Sequence, residues 1–181
     1  DRGLHRPFVE HWYGRLMLLV LSTALLTLSF APIGQFYLAW VGLIPWLIVV
    51  SRCSSYKSSV FWGWLGGFFF FLANMWWMWF VTPPGMVGLM AVLAIYWRAM
   101  GAIVYGLEKR VGGLFARFFL IPFAWTALEF IRGNFIWKGL PWLYLGHTQS
   151  PMLAMCQIAD FAGVYGITFW VVLRNTIGFN A

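Results

Sequence analysis

Three stretches, residues 16–51, 58–97 and 139–159, contain no Asp, Glu, Lys or Arg. About 20 apolar residues are enough to cross a bilayer core, so each of the first two stretches is long enough for a helical hairpin. The rest of the chain keeps the same character: 62% of the 181 residues are hydrophobic and 9% are charged, against roughly a quarter charged in an ordinary soluble domain. A secretory leader would leave a polar chain after one short apolar run, whereas here the apolar sequence continues to Ala181. The sequence predicts an all-α integral membrane protein, a polytopic bundle of about six transmembrane helices.

Breakers divide the runs. The expected helices cover about 15–31, 36–51, 60–81, 86–107, 117–133 and 161–180. Pro32 and Gly34 end the first, Pro45 kinks the second, and Thr82-Pro83-Pro84-Gly85 forms a turn after the third, since Pro removes a backbone donor and Gly suits a tight turn. Residues 134–160 are apolar but interrupted by Gly139, Pro141, Gly146 and Pro151. Irregular backbone at membrane depth must be buried in protein or line a wet cavity, so this segment is expected to cap the bundle.

The pI near 9.9 does not describe a nucleic-acid face, because the cations fall singly in the gaps between helices. Arg2, Arg6 and Arg15 precede the first helix, Arg52 and Lys57 follow the second, and Lys109, Arg110 and Arg117 follow the fourth. Alternating crossings bring these eight residues to one side, whereas the turns at 32–35 and 82–85 carry none. The positive-inside rule then predicts a cytoplasmic N-terminus and an outer-face cap. Arg174 agrees with that orientation, and Lys138 is the exception.

Chemistry-bearing groups are scarce. No cluster of His, Cys and carboxylate suggests a metal, and no cofactor motif is present. Cys53 and Cys156 have neither paired nor CxxC spacing, so both read as inert thiols. His147 has no carboxylate near it in sequence and reads as an interfacial polar residue. Trp76, Trp77 and Trp79 read first as an interfacial belt, with a lateral opening toward lipid as the sharper alternative. Gly63 and Gly67, four apart, open one helix face to close approach. Arg98 lies within the fourth helix, where a charge costs ~2.5–3.5 kcal/mol on insertion scales. Glu129 is the only acid inside the expected helices, so a Glu129 cluster shared with Arg132 one turn away is expected, with Arg98 as an open third member.

Several pieces together resemble one family. They are Ser29-Phe30-Ala31-Pro32-Ile33-Gly34 with Leu38-Ala39-Trp40 and Pro45, and Gly63-Trp64 with the phenylalanine run to Trp77. Pro122, Trp125, Glu129, Arg132-Gly133, Gly139-Leu140-Pro141-Trp142, Gly146 and Gln149 follow in register. Gly163-Val164-Tyr165-Gly166-Ile167-Thr168-Phe169 and Asn175 complete the series. The set resembles the apolipoprotein N-acyltransferases of bacterial lipoprotein maturation. Asn74, His147 and Thr168 depart from the residues more usual there (Gly, Tyr and Ser), and Arg98 is foreign to the pattern.

The resemblance implies an inner-membrane enzyme that moves an acyl chain from a phospholipid to the N-terminal amine of a diacylglyceryl-cysteine on an apolipoprotein. It also implies that a Glu, Lys and Cys triad lies in a nitrilase-like domain beyond Ala181. The chain starts at Asp1 rather than Met and stops in apolar sequence, so a catalytically inactive fragment, the N-terminal transmembrane domain, is expected. Cys156 lacks the ordered Glu and Lys and is not taken as the nucleophile. Within the membrane part, Glu129 and Arg132 are expected to brace the cap, with Pro141 and Gln149 as structural or access residues. Trp76, Trp77, Trp79, Trp142 and Tyr144 are expected to form an outer aromatic group for lipid access. Two other readings stay open: the same membrane fold attached to a polyprenol-phosphate mannosyltransferase, and a non-catalytic scaffold or transporter.

Overall fold

The computed structural model describes residues 9, 11–111, 116–135 and 139–180. Arg2, Arg6 and Lys138 lie outside the described residues, as does the side chain of Arg117. Among the described residues all regular structure is helical: α1 (Trp12–Ser29), α2 (Ala39–Gly42), α3 (Ile44–Ser51), α4 (Tyr56–Asn74), α5 (Pro83–Arg110), α6 (Ile121–Asn134), α7 (Leu153–Cys156) and α8 (Ala159–Asn180). Short 3-10 turns cover Phe36–Leu38, Trp76–Phe80 and Leu145–Gln149, and a π-helical turn, Ala116–Leu120, leads into α6. Two helices, Trp12–Ser29 and Pro83–Arg110, are long and apolar enough to cross a membrane.

Two proline-containing sites differ from the sequence reading. Pro83 and Pro84 do not form a turn. They open α5, with the Thr82 hydroxyl accepting the Gly85 N–H as the cap, because a first-turn N–H has no helical partner to lose. Ahead of them the chain leaves α-helix at Asn74 and passes through the 3-10 turn Trp76–Phe80. At Pro45 the second helix divides into α2 and α3 rather than bending. The side chain of Asn175 on α8 enters that break, its Oδ1 accepting the Leu43 N–H at 2.8 Å and its Nδ2 donating to the Ala39 carbonyl at 2.8 Å. Those two backbone groups would bond each other in an unbroken helix.

The helices pack with their ends sorted. At one end Arg15 Nη1 donates to Ser58 Oγ (3.2 Å), Tyr56 meets Tyr105 edge-on (6.2 Å), and Lys109 sits over the Tyr105 ring (5.8 Å). These contacts gather Arg15, Arg52, Lys57, Lys109 and Arg110 at that end. At the other, Asn74 Nδ2 donates to Thr27 Oγ1 (3.0 Å), Trp77 lies against Trp142 (5.9 Å), and Gln149 Nε2 donates to the Phe36 carbonyl (3.0 Å). The segment from Gly139 to Ile158 is a strap across this second end.

Between the ends, Trp46, Trp97 and Trp125 pack edge-to-face around one point, with centroids 5.0–5.7 Å apart, each pair worth about 0.5–1.5 kcal/mol beyond its area. Adjacent glycines of α4 admit them: a Cβ on Gly66 would lie 2.5 Å from Trp46, and one on Gly67 2.6 Å from Trp97. One turn earlier, Gly63 faces Gly101, with a Cβ there 2.9 Å from the Trp97 carbonyl. Ser59 Oγ completes the seam through the carbonyls of Val50 (3.0 Å) and Gly101 (2.9 Å). Small residues thus let α4 and α5 touch through their backbones.

Candidate functional site

The strap is held by a carboxylate. Glu129 is 6% exposed on the last turns of α6. Its Oε1 accepts from Trp125 Nε1 and from the Leu145 N–H, both at 3.1 Å, and its Oε2 accepts from the Thr168 hydroxyl at 2.8 Å. Thr168 Oγ1 in turn accepts the Gly146 N–H at 2.9 Å. Glu129 and Thr168 together therefore join α6, two consecutive strap amides and α8. A buried carboxylate requires such donors, since an unmet one would be very costly.

Arg132, one turn beyond, is 5% exposed. Its guanidinium lies over three rings, those of Tyr144 (5.1 Å), Phe71 (5.4 Å) and Tyr96 (6.0 Å), a cation–π arrangement strengthened by desolvation. Its carbonyl accepts the Leu140 N–H at 3.1 Å, drawing the strap onto α6. A small cavity of ≈ 20 Å³ reaches both Glu129 and Arg132 and is also lined by Tyr96, Trp125, Leu143 and Leu145. That is room for about one water-sized molecule.

The strap backbone is bent to fit. Gly139 (φ 92°) passes over the Gly133 carbonyl so closely that a Cβ would collide with it. Leu143 has φ 57°, left-handed backbone that costs a residue with a Cβ about 1–3 kcal/mol. Gly133 leaves the space into which the Tyr144 hydroxyl fits. Next to it, Asn134 Nδ2 donates to Tyr165 Oη at 2.8 Å.

The sequence candidates fall into two groups. Glu129, Arg132, Tyr144 and Gln149 come together inside the strap end, whereas Trp76, Trp77, Trp79, Pro141 and Trp142 are exposed. Trp76 and Trp79 expose 60% and 55% of their surface. Trp77, Pro141 and Trp142 border an outer groove of ≈ 270 Å³ with Asn74, Met75 and His147. Tyr144 requires a correction: it is 1% exposed, packed under the strap against Arg132 and Tyr165, so it is no part of an outer aromatic surface. Burial raises its phenol pKa. His147, exposed at the strap surface, lies tilted against Tyr144 with ring centroids 5.2 Å apart, and partial desolvation together with the Arg132 charge lowers the imidazole pKa.

Arg98 is the second correction. It is exposed toward the basic end and lines a groove with Lys57 rather than approaching Glu129. Its Cα packs near Gly63, which turns the side chain outward. Thr168 stood in the sequence only as a departure from the usual Ser, and its role as the link between Glu129 and Gly146 was missed. A hydroxyl at the position would have been the only signal, because its partners lie 39 and 22 residues away.

A bundle sorted into a basic end and an aromatic, strapped end, with the strap held over the buried Glu129 and Arg132, defines an all-helical domain. The chain belongs to the apolipoprotein N-acyltransferase N-terminal domain family, whose model matches residues 22–177. It is similar to the apolipoprotein N-acyltransferase of Geobacter metallireducens, 32% identical over 175 residues, covering 91% of this chain and 33% of that protein. The corresponding protein of Chlorobaculum tepidum is 29% identical over 182 residues, covering 98% of this chain and 32% of its own. That of Photobacterium profundum is 33% identical over 176 residues, covering 88% and 32%. The chain thus spans about a third of the length of the curated relatives it matches.

Proposed function

We propose that this chain is the membrane-embedded N-terminal domain of an apolipoprotein N-acyltransferase. In this reading the whole enzyme transfers an acyl chain from a phospholipid to the N-terminal amine of a diacylglyceryl-cysteine on an apolipoprotein. The match of the family model over residues 22–177 carries the proposal. The catalytic Glu, Lys and Cys belong to a nitrilase-like domain beyond the part described here, and residues 1–181 alone are inactive.

Six crossings, by α1, α2–α3, α4, α5, α6 and α8, fit the alternating path between the two ends. At about 1.5 Å per residue, the 19 residues of α4 reach roughly 28 Å, and the 17 residues of α8 that follow its kink at Gly163 reach roughly 25 Å, against a hydrocarbon core of ~30 Å. Apolar side chains face outward along the helices, among them Met17, Val20, Leu21, Phe61, Ile95, Phe123 and Trp170, as lipid contact favours. The basic end then faces the cytoplasm of the bacterial inner membrane, and the strap faces outward. There Glu129 and Arg132 brace the platform for the catalytic domain. Trp76, Trp77, Trp79 and Trp142 supply apolar walls at headgroup level, where both lipid-anchored substrates arrive.

Two measurements test this. Single cysteines placed at residues 54 and 110 should label only from the cytoplasmic side, and cysteines at 34 and 152 only from outside; the reverse pattern overturns the orientation. In cells depleted of the endogenous enzyme, the full natural chain should restore N-acylation and residues 1–181 should not. Restoration by the shorter piece would show that the active site is misassigned.

A further inference from the structure

A groove on the outside of the bundle near the basic end holds two cations. Between α4 and α5 lies a cleft of ≈ 570 Å³ lined by Tyr56, Lys57, Val60, Phe61, Trp64 and Arg98. Lys57 and Arg98 are both exposed, and neither has an ion pair or hydrogen bond among the described residues. The walls offer little to neutralise them. α4 contains no acid, and the only acid of α5, Glu108, lies ten residues beyond Arg98, about 15 Å along the helix, and has interactions of its own.

The two charges sit at different depths. Arg98 Cα packs near Gly63, six residues after Lys57 on α4, which places it roughly 9 Å further from the basic end. The wall beside them is apolar, with Tyr56 exposed at the level of Lys57, Phe61 exposed between the two charges and Trp64 half-buried just past the level of Arg98. The Trp64 Nε1 is spent on the Ala91 carbonyl at 3.0 Å, so the indole presents carbon rather than a donor to the cleft. The chemistry that fits is an anion attached to an apolar tail, with the anion between Lys57 and Arg98 and the tail along Phe61 and Trp64.

We infer that this groove binds an anionic phospholipid of the leaflet at the basic end, its phosphate held by Lys57 and Arg98. The inference rests on the membrane-embedded reading, but concerns the end of the bundle opposite the strap. A bound phosphate supplies the counter-charge that Arg98 lacks, and positively charged positions near a membrane surface select anionic lipid by electrostatic attraction.

The test uses the full natural chain, extracted from membranes and equilibrated with equal amounts of phosphatidylglycerol and phosphatidylethanolamine. Retained lipid is then counted by native mass spectrometry. The wild type should retain phosphatidylglycerol over phosphatidylethanolamine by roughly tenfold. Lys57→Gln with Arg98→Gln should bring the ratio near one. Arg98→Lys should keep most of the preference, and so should Arg52→Gln with Arg110→Gln, which removes the same charge at the same end outside the groove. An unchanged preference in the Lys57/Arg98 double variant overturns the site, as does its loss in the Arg52/Arg110 control. A wild type that inserts but shows no preference defeats this inference alone, whereas a chain recovered outside the membrane fraction defeats the membrane-embedded reading with it.

Discussion

Asn175 takes the place of a missing helical hydrogen bond at Leu43: its amide oxygen lies 2.8 Å from the Leu43 N–H, and its amide nitrogen 2.8 Å from the Ala39 carbonyl. Replacing it with Leu leaves a buried donor and a buried acceptor unmet, at about 1–3 kcal/mol for each such group. Asn175→Leu should therefore lower the unfolding midpoint in detergent markedly. Asn175→Gln, too long for the gap, should rescue little of the loss.

Gly133 and Tyr144 form a second dependent pair. A methyl group at Gly133 would occupy the position of the Tyr144 hydroxyl, and overpacking of this kind typically costs about 1–3 kcal/mol. Gly133→Ala should destabilise the domain, and adding Tyr144→Phe should recover part of the loss. Thermal unfolding of the two single variants and the double variant measures the coupling; strictly additive effects would show that the two residues do not compete for space.

Glu129 separates acceptance from charge. Glu129→Gln keeps an oxygen for Trp125 and Leu145, whereas Glu129→Ala strands the donors of Trp125, Leu145 and Thr168. The Ala variant should expose the strap to protease cleavage between residues 139 and 158 at least tenfold faster than wild type, given about 1.4 kcal/mol or more lost from the closed state. The Gln variant should fall between them. Limited proteolysis followed by mass spectrometry checks the order.

His147 makes strap stability depend on pH. Partial desolvation and the Arg132 charge lower its folded pKa from an ordinary value near 6.5. The unfolded chain then takes up the proton at a higher pH than the folded one, so stability rises with pH through this range and is lost as pH falls below about 6.5. Melting curves at pH 5.5 and 7.5 should differ more for wild type than for His147→Gln.

What could be read in the sequence follows from how local each interaction is. The end of α1 before Pro32 and Gly34 and the one-turn spacing of Glu129 and Arg132 on α6 depend on neighbours in the chain, and the small residue at Gly63 is visible in the sequence although its partners on α5 are not. Pro83 and Pro84 were misread because the same dipeptide suits a turn and a helix start, and only the Thr82 cap decides between them. Arg98 was assigned to Glu129 because few acids were available. The fold instead sets Arg98 against Gly63 and gives Glu129 three neutral donors, so scarcity was a poor guide to pairing. Tyr144 looked interfacial by composition, yet the missing side chain at Gly133 draws it inward.

The stitching at the strapped end also sets an order of events for a chain leaving the ribosome. Glu129 is synthesised 39 residues before Thr168, and Gly146 22 residues before it. Until α8 arrives, the carboxylate lacks one of its donors and the Gly146 N–H lacks its acceptor. Closure of this end therefore waits for α8, which acts as the clasp that fastens the strap to α6.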